Sequence, residues 1–255
     1  MARHDDWDGT AADFQRVFLK GQNGYNDRLI AFWFGEGLLH RGDRVLDIGC
    51  GVGKYGVRLA ALGCDVTLTD ISSAMLRHAE ENMRPYPGQW RTWCCDFAEA
   101  TGEEPVFAPG FDFTLSTMSP AVRTAAAVEK MSRMTRGFCF LSQFCSWKQP
   151  LRDELLRRVG LPPRSLHERP EEANAALLSE LAKAGVHPQT RDEPYDWEDL
   201  RSPREMAEVM IRFYELDPAL APTLEKAAAE LAGEDGLVGD AVYTTVRWYW
   251  WKTKA

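Results

Sequence analysis

The stretch at residues 44–56, RVLDIGCGVGKYG, constrains the fold of this chain more than any other. A short apolar run at residues 45–48 leads into alternating glycines, and an amphipathic segment follows them. This order predicts a β-strand, a tight turn and a helix. Glycine lets a backbone turn sharply and approach a ligand that a Cβ atom would keep away. The N-terminus of the following helix directs partial positive charge into the turn. The stretch therefore predicts a cradle for a nucleotide-type ligand.

Two kinds of ligand fit the glycines alone. Residues 51–56 match G-x-G-x-x-G, and Asp70 follows at about the distance of the ribose-binding acid in dinucleotide folds. Asp47, two residues before the first glycine, favours a different ligand, because a carboxylate there repels a pyrophosphate and suits a cationic amino group. With this acid the stretch reads D-x-G-x-G-x-G, and the chain resembles the class I S-adenosylmethionine-dependent methyltransferases. A nicotinamide-dependent dehydrogenase and an ordinary strand-to-helix turn remain as alternatives.

The resemblance assigns a role to each part of the predicted cofactor site. It implies that the turn packs against the methionine end of the cofactor and that Asp47 meets its ammonium group. Asp70, at the end of the predicted second strand, would bind the ribose hydroxyls, since a carboxylate accepts two hydrogen bonds at once. A helix N-cap is an alternative or additional role for Asp70. Asp96 would accept from the adenine amino group. The predicted cofactor residues are Asp47, Gly49, Cys50, Gly51, Gly53, Asp70, Ile71, Met75, Asp96, Phe97 and Ser116.

The acceptor side of the site is less constrained by the sequence. Residues 116–120 end the predicted fourth strand, and ligands of open parallel sheets bind at such carboxyl ends. Relatives that methylate amino groups or nucleobases often carry N-P-P-Y or D-P-P-Y there, whereas this chain has T-M-S-P-A. The nature of the acceptor atom therefore stays open. The residues predicted to line the substrate are Tyr25, Trp33, Met118, Tyr195, Trp197 and Tyr214.

No catalytic residue is predicted. Methyl transfer from a sulfonium needs a general base only where the nucleophile arrives protonated. Three side chains are candidates for that base, and nothing in the sequence selects one of them: His4, Tyr25 and His167.

The predicted fold is α/β, a Rossmann-like, doubly wound, seven-stranded and mostly parallel sheet with an antiparallel last strand. In the family that the chain resembles, that strand lies between the fifth and the sixth. Residues 1–40 are predicted to form a helical lid, with helices at 11–19 and 26–39. Residues 41–255 would form the methyltransferase domain. A helical insertion is predicted at about 192–240, with one helix starting at Ser202 and Pro203 and another after Pro218.

Composition excludes some partners. The 255 residues carry a formal net charge of −8, which argues against a nucleic acid partner, because phosphate binding needs local basicity. No run has the length or apolarity of a signal peptide core or a membrane span, so a cytoplasmic protein is expected. The six cysteines form no C-x-x-C pair and the five histidines are scattered, so we expect buried thiols and no metal. The oligomeric state stays open.

The main hypothesis is transfer of a methyl group from S-adenosyl-L-methionine to a small molecule by in-line displacement, with S-adenosyl-L-homocysteine as the product. A protein acceptor is an alternative within the same enzyme class. A second alternative is a regulatory or partner protein that binds S-adenosylmethionine without catalysis. Detection of S-adenosylhomocysteine as a product separates the enzyme from the binding protein.

Overall fold

The computed structural model describes residues 7–19, 24–108, 110–165 and 169–253. The chain forms two compact units. Unit 1 consists of Met1–Gln143, Ala175–Asp192 and Arg247–Ala255, and unit 2 of Phe144–Asn174 and Glu193–Val246. The predicted insertion at about 192–240 falls almost wholly in unit 2. Unit 2 also contains Phe144–Asn174, a segment that the sequence analysis assigned to the main domain.

Helices and strands follow the predicted order along the chain. The helices are α1 (Ala11–Leu19), α2 (Tyr25–Gly35), α3 (Lys54–Ala61), α4 (Ser73–Met83), α5 (Ala125–Arg133), α6 (Pro150–Arg158), α7 (Pro170–Lys183), α8 (Pro203–Tyr214) and α9 (Ala221–Ala229). The strands are β1 (Arg44–Ile48), β2 (Asp65–Asp70), β3 (Trp90–Cys94), β4 (Phe111–Thr117), β5 (Thr135–Lys148), β6 (Gln189–Pro194), β7 (Trp197–Arg201) and β8 (Val238–Lys252).

The sheet has the strand order β3-β2-β1-β4-β5-β8-β6. Strands β1 to β5 pair with one another in parallel. The last strand lies between β5 and β6, so the predicted Rossmann-like fold is confirmed. The sequence analysis missed β7, which pairs antiparallel with β8 inside unit 2. Its five residues, WEDLR, include three charged side chains, and so short and polar a strand forms only where a partner strand is available.

Two apolar layers enclose the sheet of unit 1. Leu46 and Ile48 of β1 point into a core cluster shared with Val128 and Met131 of α5. The other face receives α2, whose Trp33 is fully buried. The Trp33 ring packs against Phe113 of β4 at 5.3 Å and against Phe140 of β5 at 5.1 Å between centroids. Because strand side chains alternate between faces, Asp47 of β1 belongs to the α2 side of the sheet.

Unit 2 has a core of its own. Helices α6, α8 and α9 contribute its buried side chains, among them Leu156, Met210 and Leu224. The predicted start of α8 is confirmed, because Ser202 and Glu205 form a complete capping box with Pro203 in the first turn. No described helix has the length and apolar composition needed to cross a membrane.

Candidate functional site

The glycine turn after β1 is held against the end of β2. The backbone N–H groups of Gly49 and Cys50 both donate to the carbonyl oxygen of Thr69, at 2.8 and 3.0 Å. Gly49, Gly51 and Gly53 all have positive φ, which side chains with a Cβ rarely tolerate. A Cβ on Gly51 would meet only the sulfur of Met75 within 4 Å, so the turn is open above this residue.

Asp70 joins this turn to the start of α4. One carboxylate oxygen accepts from the Gly51 N–H and the other from the Ser72 N–H, both at 2.9 Å. Burial raises the pKa of Asp70, and the hydrogen bonds from Ser72 and Gly51 oppose that rise. The N-cap of α4 is Ser72, whose hydroxyl accepts from the Met75 N–H. A carboxylate has more lone pairs than these N–H groups use, so Asp70 can also accept a hydrogen bond from a ligand.

Asp47 is the most unusual group at the site. It is 1% exposed, and neither carboxylate oxygen has a hydrogen-bond partner within the part of the chain that the structure describes. Burial raises its pKa to about 7, assisted by the charge of Asp70 and opposed by that of Lys54. Burial likewise lowers the pKa of Lys54 to about 8. A buried unpaired carboxylate costs several kcal/mol, on the order of the hydration it gives up, unless something pairs with it. The residues present therefore fit a cationic ligand group.

The N-terminal segment contacts the same elements. Asp8 accepts hydrogen bonds from the Ser72 hydroxyl and from the Ala74 N–H. The amides of Gln15 and Asn82 bond reciprocally at 2.9 and 2.8 Å. Buried apolar contacts reinforce these bonds, and their members are Ala11, Val52, Ala74 and Met75, with Trp7 and Phe18 beside them. Helix α1 therefore packs on Met75, which was predicted to flank the adenine.

The predicted adenine-binding residues differ in their surroundings. Asp96 is half-buried, and its carboxylate accepts from the Ala98 N–H at 2.8 Å. Ile71 is also half-buried. Phe97 is 3% exposed and packs edge-to-face against Phe107 in the core. The ring thus contributes to the core, and its proximity to a ligand stays a prediction.

The end of β4 borders the turn, as predicted. The Ser116 hydroxyl donates to the carbonyl oxygen of Ile48, the last residue of β1, at 2.9 Å. Met118 has φ +50°, an uncommon conformation for a residue with a side chain, and such conformations cluster at functional sites. Its N–H donates to the Ser142 carbonyl at 2.8 Å. Ser119 lies directly against the backbone of Gly49.

Three of the predicted substrate residues lie in cores. Tyr25 and Trp33 are fully buried on α2, and the Trp248 indole donates to the Tyr25 hydroxyl at 2.8 Å. Tyr214 is buried in unit 2, where its hydroxyl donates to Gln149 at 3.2 Å. Their burial leaves no ring face open to a substrate, because each belongs to the apolar side of an amphipathic helix. Tyr195 and Trp197 are half-buried. His4 and His167 lie outside the described residues.

Sequence reasoning missed three polar residues of this site. Asp8 bonds to the start of α4, the Asn82 amide donates to the Val52 carbonyl at 2.9 Å, and Ser119 packs on Gly49. Asp8 and Asn82 resemble ordinary surface residues in sequence, so no signal marked them. Ser119 follows the end of β4 and could have been found from the rule that ligands bind at carboxyl ends of strands.

The comparisons with known proteins agree with this geometry. The described residues 45–108 and 110–137 lie in a segment, 45–137, that matches the family model for the methyltransferase domain. Residues 45–137 are a methyltransferase domain. The predicted resemblance to this enzyme class is confirmed. The domain includes the glycine turn, Asp70, Asp96 and the strained Met118. None of the curated proteins matches the sequence at a significant level.

Solved structures extend the fold assignment beyond the methyltransferase domain. Magnesium protoporphyrin IX methyltransferase from Synechocystis PCC 6803, solved with S-adenosylhomocysteine, is similar with a TM-score of 0.59 and 18% identity, over 98% of each chain. Phosphoethanolamine N-methyltransferase 2 from Haemonchus contortus, solved with phosphomonomethylethanolamine and S-adenosylhomocysteine, is similar with a TM-score of 0.54 and 16% identity, over 100% of this chain and 61% of that one. At sequence identities this low, the similarity to these structures shows a shared fold only.

No group of three or more His, Cys, Asp or Glu side chains within the described ranges is placed to hold a metal ion. The expectation of a metal-free protein stays a prediction.

Proposed function

We propose that this protein transfers a methyl group from S-adenosylmethionine to a small-molecule acceptor and releases S-adenosylhomocysteine. The buried, unpartnered carboxylate of Asp47 beside the glycine turn carries the proposal. A ligand ammonium would neutralise this carboxylate, whereas the pyrophosphate of a dinucleotide would add negative charge next to Asp47 and Asp70. When bound, S-adenosylmethionine supplies a methyl group on a cationic sulfur that an acceptor displaces in line.

The remaining residues of the turn would hold and orient the cofactor. The open backbone at Gly51 would lie against it, and Asp70 would accept from the ribose hydroxyls with its free lone pairs. Asp96 and Ile71 would contact the adenine. The work of these residues is positioning and exclusion of water rather than proton transfer. We also propose that α1 acts as a lid, which its bonds through Asp8 and Gln15 support.

An aromatic cluster in unit 2 supports a small-molecule acceptor. It consists of Phe144, Trp147, Tyr195 and Trp197, all half-buried. Phe144 and Trp147 meet edge-to-face at 4.9 Å, Phe144 and Tyr195 are parallel at 6.2 Å, and Trp147 and Trp197 meet at 5.4 Å. Aromatic rings that stay half-exposed together offer a large apolar surface at low cost in conformational entropy. Two of them, Tyr195 and Trp197, were predicted to line the substrate.

A small cavity adjoins this aromatic cluster. Its volume is about 150 Å³, and its lining residues are Trp147, Gln149, Asp153, Pro163, Arg164 and Ser165. Trp147 gives this lining an aromatic side and the other residues are mostly polar, and small-molecule sites combine apolar walls with a few polar groups. The acceptor therefore combines an apolar or aromatic part with polar substituents.

Calorimetric titration with S-adenosylmethionine, S-adenosylhomocysteine and NAD tests the cofactor. We expect micromolar binding of the first two and none of NAD; binding of NAD alone would overturn the proposal. Incubation with labelled S-adenosylmethionine and a library of small aromatic molecules, read by mass spectrometry, then tests the acceptor. Trp197→Leu should raise KM for the acceptor and leave S-adenosylhomocysteine binding unchanged. Methylation of added proteins but of no small molecule would favour a protein acceptor, and binding without any product would favour a regulatory protein.

Asp47 should make cofactor binding depend on pH. With a pKa of about 7 in the ligand-free protein, its carboxyl is increasingly protonated as pH falls, and only the carboxylate pairs with an ammonium. We expect affinity for S-adenosylhomocysteine to rise roughly tenfold between pH 6 and pH 8, since each pKa unit corresponds to a factor of ten. Asp47→Asn should bind weakly with no such slope. Asp112→Asn, whose side chain bonds to Arg44, should keep the wild-type slope.

The same group should affect the stability of the ligand-free protein with a definite sign. Burial raises the pKa of Asp47 from 3.8 to about 7, so the folded state binds the proton more tightly than the unfolded chain does. Its contribution to stability is therefore greatest below pH 4 and is lost as pH rises to about 7. Asp47→Asn should remove this contribution from the pH dependence of Tm, and an unchanged dependence would contradict the assignment.

A further inference from the structure

Asn26 is a buried polar residue at the start of α2. It lies in the first turn of α2 and is 0% exposed. Neither its side-chain oxygen nor its nitrogen has a partner among the residues that the structure describes. A buried amide without partners costs about 1–3 kcal/mol in proteins. No hydrogen bond within the described ranges recovers that cost, whereas a polar group of a bound ligand would recover it.

The position of Asn26 along the strands follows from its neighbour Tyr25. The Tyr25 hydroxyl accepts from the Trp248 indole. The Thr253 N–H donates to the Gly137 carbonyl and the Thr244 hydroxyl to the Ser146 carbonyl, so β8 runs antiparallel to β5. Five residues back along β8 and five residues forward along β5, Trp248 therefore lies opposite Ser142. Ser142 pairs with Thr117, the last residue of β4. The start of α2 thus lies at the carboxyl edge of the sheet.

The position of Asn26 across the sheet follows from its other neighbours. Asp27 pairs with Arg58 of α3 at 3.4 Å, so this side of the α2 start faces α3. Asn26 shares a helix face with Ile30 and Trp33, because residues three and four apart lie on one face. That face packs on the sheet, where Trp33 contacts β4 and β5. Asn26 therefore lies above the sheet at its carboxyl edge, between the α3 side and the β8 side. The end of β1, with Asp47 in the strand and Gly49 just after it, is at the same edge.

Two unpaired buried groups of complementary chemistry consequently lie at this edge. The Asp47 carboxylate suits a cation, whereas the Asn26 amide offers two N–H donors to an anion. The positive end of the helix dipole at the first turn of α2 also favours an anion. An ammonium and a carboxylate on one carbon atom would satisfy both groups.

We propose that Asn26 is a cofactor-positioning residue that binds the α-carboxylate of the amino-acid part of the ligand, while Asp47 binds its ammonium. The proposal rests on the proposed function and deepens it, because it explains how the site distinguishes the amino-acid end of S-adenosylmethionine from other adenosine compounds. Asn26 would fix the sulfur in the line of transfer without touching the reacting atoms.

The test compares two probes that differ in the amino-acid part. S-adenosylhomocysteine carries that part, and 5′-methylthioadenosine does not. In wild-type protein the first should bind more tightly by calorimetry. Asn26→Leu should bind S-adenosylhomocysteine at least tenfold more weakly and 5′-methylthioadenosine within twofold of wild type. Because Leu replaces an unpaired amide by an apolar group of similar size, Tm without ligand should stay the same or rise.

Two further variants separate this role from a structural one. Asn26→Asp keeps the shape of the side chain but presents a carboxylate to the ligand carboxylate. Its affinity for S-adenosylhomocysteine should therefore also fall, while its affinity for 5′-methylthioadenosine stays near that of wild type. Asn174→Leu is the matched control: Asn174 is buried but bonds to the Phe144 carbonyl at 2.8 Å. It should lower Tm and leave the ratio of the two affinities unchanged.

The results that overturn the proposal are distinct from those that overturn the function. Equal weakening of both probes by Asn26→Leu, an unchanged ratio, or a loss of Tm like that of Asn174→Leu would give Asn26 a structural role. Failure of wild-type protein to bind either probe would instead remove the proposed cofactor, and the assignment of Asn26 with it.

Discussion

Gly49→Ala is expected to abolish binding of S-adenosylhomocysteine and to destabilise the fold by several kcal/mol. A Cβ on Gly49 would lie 2.0 Å from the Ser119 hydroxyl oxygen and 2.8 Å from the Ser119 Cβ, so one of the two backbones must move. Overpacking of this kind costs about 1–3 kcal/mol. The positive φ of Gly49, +70°, adds about 1–2 kcal/mol for a residue with a Cβ. Calorimetric titration and thermal unfolding measure the two effects.

Gly185→Ala separates the steric contact from the backbone strain. Gly185 has φ +71°, almost the same as Gly49, but a Cβ there would meet nothing within 4 Å. This control should lose about 1 kcal/mol of stability and bind ligand normally. The double variant Gly49→Ala with Ser119→Gly should recover part of the loss, since the clashing side chain is gone. Equal effects of Gly49→Ala and Gly185→Ala would show that Ser119 does not restrain the turn.

Asp70→Ala is expected to weaken cofactor binding by on the order of 1–3 kcal/mol, which is about fivefold to more than hundredfold. Two losses combine in this variant. The ligand loses its acceptor, and the N–H groups of Gly51 and Ser72 lose theirs, so the turn and the start of α4 are no longer tied together. Binding of S-adenosylhomocysteine and of adenosine should both fall, because Asp70 would contact the part that the two share.

Asp112→Ala is the matched control for Asp70. Its carboxylate also accepts from a backbone N–H, that of Arg44 at 2.9 Å, but β1 begins at that residue and the ligand edge lies at the other end. The control should lower Tm and leave affinity unchanged. If a folded Asp70→Ala protein bound ligand as wild type does, Asp70 would have to be removed from the site.

Local chemistry made the cradle predictable. Adjacent residues suffice to show the alternating glycines at 49–53 and the acid before them. The same is true of the strand before the turn and the helix after it. The end of β2 at Asp70 was equally visible, because apolar alternation stops at an acid. The position of the last strand, between the fifth and the sixth, was predicted from the resemblance rather than from the residues, and the structure confirmed it.

Aromatic residues were harder to assign from the sequence. Trp33 and Tyr195 were both predicted to line the substrate, yet Trp33 is fully buried and Tyr195 is half-buried. Phe97 follows Asp96 as a ligand-stacking residue would, but its ring packs on Phe107. The face that a side chain presents depends on which element covers it, and coverage is a long-range property.

The sequence by itself determined the type of ligand cradle, because the backbone conformation and charge of a turn depend on a few adjacent residues. Only the tertiary structure decided which polar groups remain without partners. Asp47 and Asn26 lie 21 positions apart, and nothing in either neighbourhood shows that both would be buried unpaired at one edge of the sheet. Hydrogen-bond satisfaction is settled when strands and helices come together, so the strongest evidence for the ligand appears only in the folded protein.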